Sequence, residues 1–395
     1  MGLFIKVAET RNKGFTCRNM GKKSYFLDEK NALLSREGKT FGILLATFGG
    51  GLSMKKPARL HVGAKIATIA LSAGLAGEPA ILWRYEQGKR QLQELGFEVV
   101  EMPHTLADVQ SAYADPQGRA RDLEQALLDP EIKAILSTIG GSESYRIFQH
   151  VDLQILREHP KPFIGYSDST SVHQLFRMAG VGSFYGPCLL VDFAENGGVP
   201  AFTREVFEAV LMADTTGYVY PWRENWTSEF LPWEIANQPL RRQLQPDRGP
   251  LVLQGKGQVT GRLLGGCLEV LAMLRGTPLY PTPEDFAGAL LLLETSEEMP
   301  VPDLVERELR TMGIMGNLGR VNGILFGKPQ EETYFQEYQD VIQKVLREFD
   351  LPDLPVVYNC NFGHTEPKWT LPLGVAAKLD LEAGTLTLLE SATSE

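Results

Sequence analysis

The chain has 395 residues, 43% of them hydrophobic, enough to build one large or two medium cores, and nothing in its composition is collagenous or low in complexity. Its net charge of −10 is unevenly spread: residues 1–53 hold nine Lys/Arg against four Asp/Glu, leaving 30 of the 39 basic and 45 of the 49 acidic residues for a body that repels nucleic-acid backbones. No apolar run approaches the roughly 20 residues of a membrane span, and the first residues lack the compact charged, apolar and cleavage regions of a signal peptide. The expectation is a soluble, unexported protein with neither a nucleic-acid polymer nor a membrane as partner. Cys17, Cys188, Cys267 and Cys360 are far apart and form no C-x-x-C pair, which argues against a disulfide framework or zinc knuckle and for a reducing, cytoplasmic setting. Six histidines occur without H-E-x-x-H or a close His/Asp cluster, so no metal and no other cofactor is expected.

Residues 1–53 show no sustained apolar period and close on a glycine-rich joint, F-G-G-G-L-S. They read as an N-terminal extension outside the core fold; an accessory tail, an upstream translated stretch and a basic targeting segment all stay open. From Met54 a polar lead-in runs into A-K-I-A-T-I-A-L, the buried type of first strand. A helix through Gln87–Leu95, a strand F-E-V-V-E-M, a helix through Ala120–Leu128, and the strands I-K-A-I-L-S-T and K-P-F-I-G-Y-S follow. Apolar, unalternating strands separated by helices signal a parallel sheet covered on both faces, with a crevice at the strands' carboxyl ends. After a helix at Thr203–Ala213 come a tryptophan-rich loop and linker, 216–249. A second α/β unit, 250–395, then carries A-L-L-L-L-E, N-G-I-L-F-G, L-P-V-V-Y-N and T-L-T-L-L-E, with a long helix at Phe335–Phe349. The first module is thus 54–215.

Ser167 stands where an apolar strand turns straight into a helix-like run, so its hydroxyl is held out of the sheet beside free helix N–H groups. Gly165-x-Ser167-x-Ser169 matches the nucleophile elbow G-x-S-x-G except at its last glycine. A serine nucleophile needs a base, an acid to orient the base, and donors for the oxyanion. His364, beside Gly363 at the end of a strand, is the best-placed base. His173 follows Ser167 by nearly two helical turns and does not reach the hydroxyl. Glu294 ends the strand A-L-L-L-L-E, where a buried carboxylate is costly unless paired, and so could orient the base. Gly140 and Gly141 follow another strand, and the Gly141 N–H could join that of Asp168 around a reacting carbonyl. Gly257, Gly261, Gly265 and Gly266 lack the lysine and hydroxyl residue of a phosphate loop and serve turns and packing.

Together P-F-I-G-Y-S-D-S-T, I-G-G-S-E-S, G-R-L-L-G-G-C-L-E-V-L, L-L-L-E-T and F-G-H-T-E-P-K-W-T-L-P-L-G resemble, in order, the LD-carboxypeptidase family of serine peptidases, from Met54 to Glu390. I-G-G-S-E-S and the insertion W-T-S-E-F-L-P-W resemble its microcin C immunity branch most. The resemblance implies a Ser–Glu–His triad on Ser167, Glu294 and His364, an oxyanion hole from Gly141 and Asp168, and no metal. It also implies a flavodoxin-like N-terminal domain, a swivelling β/α C-terminal domain and a homodimer, while Gly140, beside the reacting carbonyl by its position after the strand, is expected to bind substrate. In that branch an inserted aromatic stacks on the substrate's base; Trp222 or Trp226 could do so here, or could pack the domain junction. Cys267, Thr295 and Glu143 depart from the family pattern, and Glu143 is expected to add negative charge beside the oxyanion loop.

The implied activity is hydrolysis of the amide of a small peptidyl- or aminoacyl-nucleotide. A muramoyl-tetrapeptide LD-carboxypeptidase is the alternative, and a catalytically silent small-molecule binding protein a third, less favoured reading.

Overall fold

The computed structural model describes residues 54–395, together with the backbone of a short antiparallel pair, Phe26–Leu27 with Leu33–Leu34, within a first unit spanning Met1–Leu52. The other expectations for residues 1–53 lie outside the described residues. The second unit, Ser53–Glu395, contains two large sheets and a two-stranded antiparallel pair, Asn225–Trp226 with Gln245–Pro246.

Five strands in chain order build most of the first sheet: β1 (Lys65–Ile69), β2 (Glu98–Glu101), β3 (Ile132–Ser137), β4 (Phe163–Gly165) and β5 (Ser183–Tyr185). All pair in parallel in the spatial order 2-1-3-4-5, the doubly wound flavodoxin-like arrangement. The connecting helices include α1 (Leu82–Glu94), α2 (Pro116–Leu128) and α3 (Thr170–Ala179). Helix α1 begins several residues earlier than its sequence pattern suggests, because Arg84 and Gln87 are buried polar residues that bond backbone carbonyls of Leu190 and Ala194. Helix α2 also starts early, with Pro116 in the first turn and the Asp115 carboxylate accepting from the Gly118 N–H at 2.6 Å.

The second sheet contains β6 (Leu251–Gln254), β7 (Gln258–Cys267), β8 (Leu290–Glu294), β9 (Gly323–Gly327) and β10 (Val356–Cys360), then β12 (Ala376–Asp380) and β13 (Thr385–Leu388). Its order is β6-β10-β9-β8-β7-β12-β13, with parallel pairing from β10 to β7 and antiparallel pairing at both flanks. The intervening strand β11 (Leu371–Leu373) does not join it. Instead β11 pairs antiparallel with β5 and forms the edge of the first sheet, so the segment carrying the base is stitched to the sheet carrying the serine.

Behind this junction lies a buried charge cluster. The Lys368 ammonium is 2.7 Å from Asp192 and 2.9 Å from Glu366, and sits 3.9 Å from the centre of the Tyr166 ring. Thr203 donates to the second Glu366 oxygen at 2.9 Å. Burial pushes the Glu366 carboxyl up, with Lys368 pulling it down and Asp192 adding to the rise. Lys368→Met strands the Asp192 carboxylate in a dry site, and is expected to cost about 3–5 kcal/mol in urea unfolding; a loss below about 1 kcal/mol would contradict this account of the cluster.

Candidate active site

Strand β4 ends at Gly165, Tyr166 is extended, and Ser167 takes φ +61°, a left-handed conformation that a serine adopts only under constraint. A 3-10 turn, Ser167–Ser169, leads directly into α3. The constraint is identifiable: the Ser167 N–H donates to the Tyr185 hydroxyl at 3.0 Å, while the next residue is locked by its side chain. Buried Asp168 accepts from the Ser72 hydroxyl at 2.5 Å and from the backbone N–H groups of Glu143 and Ser144 at 3.0 and 2.7 Å. The Ser144 hydroxyl in turn donates to the Asp168 carbonyl at 2.7 Å. Asp168 thus ties the loops after β1, β3 and β4 into one cradle.

The Gly140–Gly141 turn lies against that cradle. A Cβ at Gly140 would come within 3.0 Å of Ser167 Oγ and 3.5 Å of the Asp168 nitrogen, so any side chain there would press on the hydroxyl. Glu143 does not leave a free negative charge beside the turn, contrary to expectation. Its carboxylate pairs with Arg146 and lies 3.5 Å from the buried Arg119 guanidinium, which also bonds the Leu71 and Ser72 carbonyls.

Glu294, the last residue of β8, is fully buried, and each carboxylate oxygen has a donor. Tyr185 Oη donates to Oε1 at 2.5 Å, and His364 Nδ1 lies 2.7 Å from Oε2. Gly363, at φ +99°, makes the approach possible, since a Cβ there would sit 2.6 Å from Glu294 Oε2. Tyr185 therefore connects the Ser167 backbone to the carboxylate that holds His364. Sequence reasoning missed this residue; a tyrosine closing an apolar strand in F-Y-G-P reads as core.

Among the described residues no hydrogen bond joins Ser167 Oγ to His364. The other ring nitrogen, Nε2, faces Glu297 instead, 2.9 Å from its Oε2 but out of line for a hydrogen bond. Burial favours the neutral ring, yet the Glu294 and Glu297 carboxylates outweigh it and hold the imidazole up to about 10. Glu297 is correspondingly drawn down to about 2 by its contact with His364.

Trp226 offers no face to a ligand: it is 1% exposed, with the Lys328 ammonium 4.9 Å from its ring centre. Trp222 packs edge-on against Trp369 at 4.6 Å and donates to the Gly384 carbonyl. Trp226 is thus an interior residue and Trp222 is half-buried; the prominent exposed aromatic of the insertion is Phe230, 67% exposed. Cys267, paired in register with Glu294, is buried with its thiol pushed well up by burial, and Thr295 is buried beside it. His173 is a core histidine bonded to Ser183 and the Gly165 carbonyl, both at 2.9 Å, and burial lowers it to about 4. Among the described residues no three His, Cys, Asp or Glu side chains cluster as metal ligands, and no helix is long and apolar enough to cross a membrane.

A buried carboxylate on an imidazole, a strained serine at a strand-to-helix corner and a glycine turn against its hydroxyl define the class of site found in serine hydrolases. Two family models extend that class: the LD-carboxypeptidase N-terminal domain matches residues 66–186 and the LD-carboxypeptidase C-terminal domain residues 260–379. The chain belongs to the LD-carboxypeptidase family.

Its relatives include a Vibrio cholerae serotype O1 protein provisionally named as a carboxypeptidase, 31% identical over 77% of this chain and 89% of its own length. A Bacillus subtilis (strain 168) protein, whose name proposes murein peptide carboxypeptidase activity, is 26% identical over 86% of this chain and 96% of its own. The Escherichia coli microcin C7 self-immunity protein MccF is 28% identical over 78% of this chain and 88% of its own. The structure of MccF in complex with aspartyl sulfamoyl adenosine superposes with a TM-score of 0.77 at 28% identity, covering 86% of this chain and 99% of that one.

Tyr185→Phe removes the donor to Glu294 Oε1 and the acceptor of the Ser167 N–H while keeping the ring. It is expected to lower unfolding free energy by about 1–3 kcal/mol in a urea titration, and an unchanged midpoint would count against the bridge.

Proposed function

We propose that this chain is a serine carboxypeptidase or amidase in which the 54–215 module presents Ser167 and the 250–395 module supplies Glu294 and His364. Ser167 Oγ attacks the carbonyl of an amide near the substrate's carboxyl end. His364 Nε2 takes the hydroxyl proton and later returns it to the leaving nitrogen, while Glu294 keeps Nδ1 protonated and the ring oriented. The N–H groups of Gly141 and Asp168 hold the oxyanion, with Gly140 leaving room for the carbonyl. Water then attacks the acyl-enzyme by the same proton route in reverse. The observation that carries this reading is the chain of contacts from the Ser167 backbone through Tyr185 and Glu294 to His364, with distances of 3.0, 2.5 and 2.7 Å.

For the substrate, likeness to MccF, solved with an aspartyl sulfamoyl adenosine, supports an aminoacyl- or peptidyl-nucleotide. The Bacillus relative named for murein peptides, matched over almost its whole length, supports a muropeptide as the second reading. With Trp226 buried and Trp222 packed, stacking of a base falls to the exposed Phe230 side of the insertion. A cytoplasmic homodimer is the form in which we expect it to act.

Mass-spectrometric turnover of an aspartyl-adenylate amide analogue and a muramoyl tetrapeptide, each with wild type and Ser167→Ala, tests both levels. The expected result is release of the nucleotide from the first, with the variant slower by about 1,000-fold or more. Release of terminal D-alanine instead would select the muropeptide, and undiminished turnover by Ser167→Ala would overturn the mechanism.

A further inference from the structure

The base has a carboxylate beside each of its nitrogens, and only one of those contacts serves the proposed reaction. Nδ1 belongs to Glu294. Nε2, the atom that must receive the serine proton, faces the Glu297 carboxylate at 2.9 Å. Glu297 lies on the loop leaving β8, three residues beyond Glu294, and its side chain is 65% exposed whereas that of His364 is 6% exposed. Among the described residues Glu297 has no other ion-pair partner. A buried ring nitrogen turned toward a solvent-facing carboxylate is a contact that can be made and broken by a local swing of one side chain.

Resting on the serine-hydrolase reading above, we propose that Glu297 is a positioning residue that latches His364 in a disengaged state, and that it must leave Nε2 before Ser167 can transfer its proton. In the latched state the ring carries a proton on each nitrogen. Activation moves Glu297 aside and releases the Nε2 proton to water, leaving a lone pair that accepts the Ser167 proton as Oγ bonds to carbon.

The surroundings of His364 explain why one carboxylate can decide its state. Glu294 from the end of β8 is fixed by Tyr185 and stays in both states. From the end of β4 the Tyr166 ring meets the imidazole edge-on at 5.0 Å and contributes no charge below its own high titration range. Behind Tyr166 the Lys368 ammonium is matched by Asp192 and by Glu366. Among the described residues Glu297 is the charged neighbour of the ring whose side chain is exposed. Its removal takes away one of the two anions that raise the imidazole, so the base becomes available at lower pH.

The test uses full-length protein and a fluorophosphonate probe, whose P–F bond breaks as Ser167 Oγ bonds to phosphorus and the hydroxyl proton passes to His364. Labelling of Ser167 is followed by mass spectrometry from pH 5 to pH 10 in wild type, Glu297→Gln and Ser167→Ala. His364 is titrated in the first two by nitrogen-15 NMR. Glu297→Gln is expected to label about tenfold faster or more at pH 7, its acid limb and its His364 midpoint both displaced to lower pH. An unchanged His364 midpoint overturns the latch whether or not Ser167 labels, and slower labelling with a lowered midpoint overturns it by making Glu297 a helper of the base. Absence of any Ser167 adduct in wild type, with a lowered midpoint in the variant, contradicts the hydrolase reading and leaves the His364–Glu297 pairing supported.

Discussion

A single buried carboxylate organises this molecule. Glu294 ends a strand whose five residues are all buried, where an unpaired carboxylate would cost several kcal/mol, and it is retained because both oxygens are met by donors from outside its own strand. One donor, Tyr185, closes β5 of the first sheet. The other, His364, follows β10 of the second sheet. Satisfying one anion therefore brings two sheets into register at their carboxyl ends, and the same Tyr185 hydroxyl fixes the backbone of Ser167.

Two further devices hold that meeting point. Strand β11 crosses from the segment after His364 to pair with β5, so the histidine loop is anchored on one side by main-chain hydrogen bonds to the serine's sheet. On the other side Lys368, Asp192 and Glu366 form a charged plug behind Tyr166, whose ring is the wall against which His364 rests. The plug is costly to desolvate, and the Lys368 ammonium lies 3.9 Å from the centre of that ring.

Much of this was legible in the sequence, and the rest was not, for physical reasons. Continuous apolar runs such as I-K-A-I-L-S and A-L-L-L-L-E announce strands buried on both faces, and the strand-to-helix corner at Ser167 announces itself by the abrupt change of pattern. Ser167, Glu294 and His364 each stood out because each polar side chain follows an apolar strand. Strand β11 was hidden because T-L-P-L carries no sign of which sheet it joins. Tyr185 was hidden because a tyrosine in an apolar strand is ordinarily core. Trp226 reads as a possible platform because sequence cannot report that a lysine from β9's end lies over its ring. Glu297 carries no sequence signal because an acidic residue in a polar loop is normally solvated; only the fold brings it to the imidazole.

The central claim, that Glu294 and His364 are energetically joined, is tested most directly by a double-mutant cycle on unfolding free energy with Glu294→Gln, His364→Gln and the double variant. The account predicts a coupling of about 1–3 kcal/mol, as expected for a buried, charge-assisted pair. Additive effects of the two substitutions, within about 0.3–0.5 kcal/mol, would contradict it.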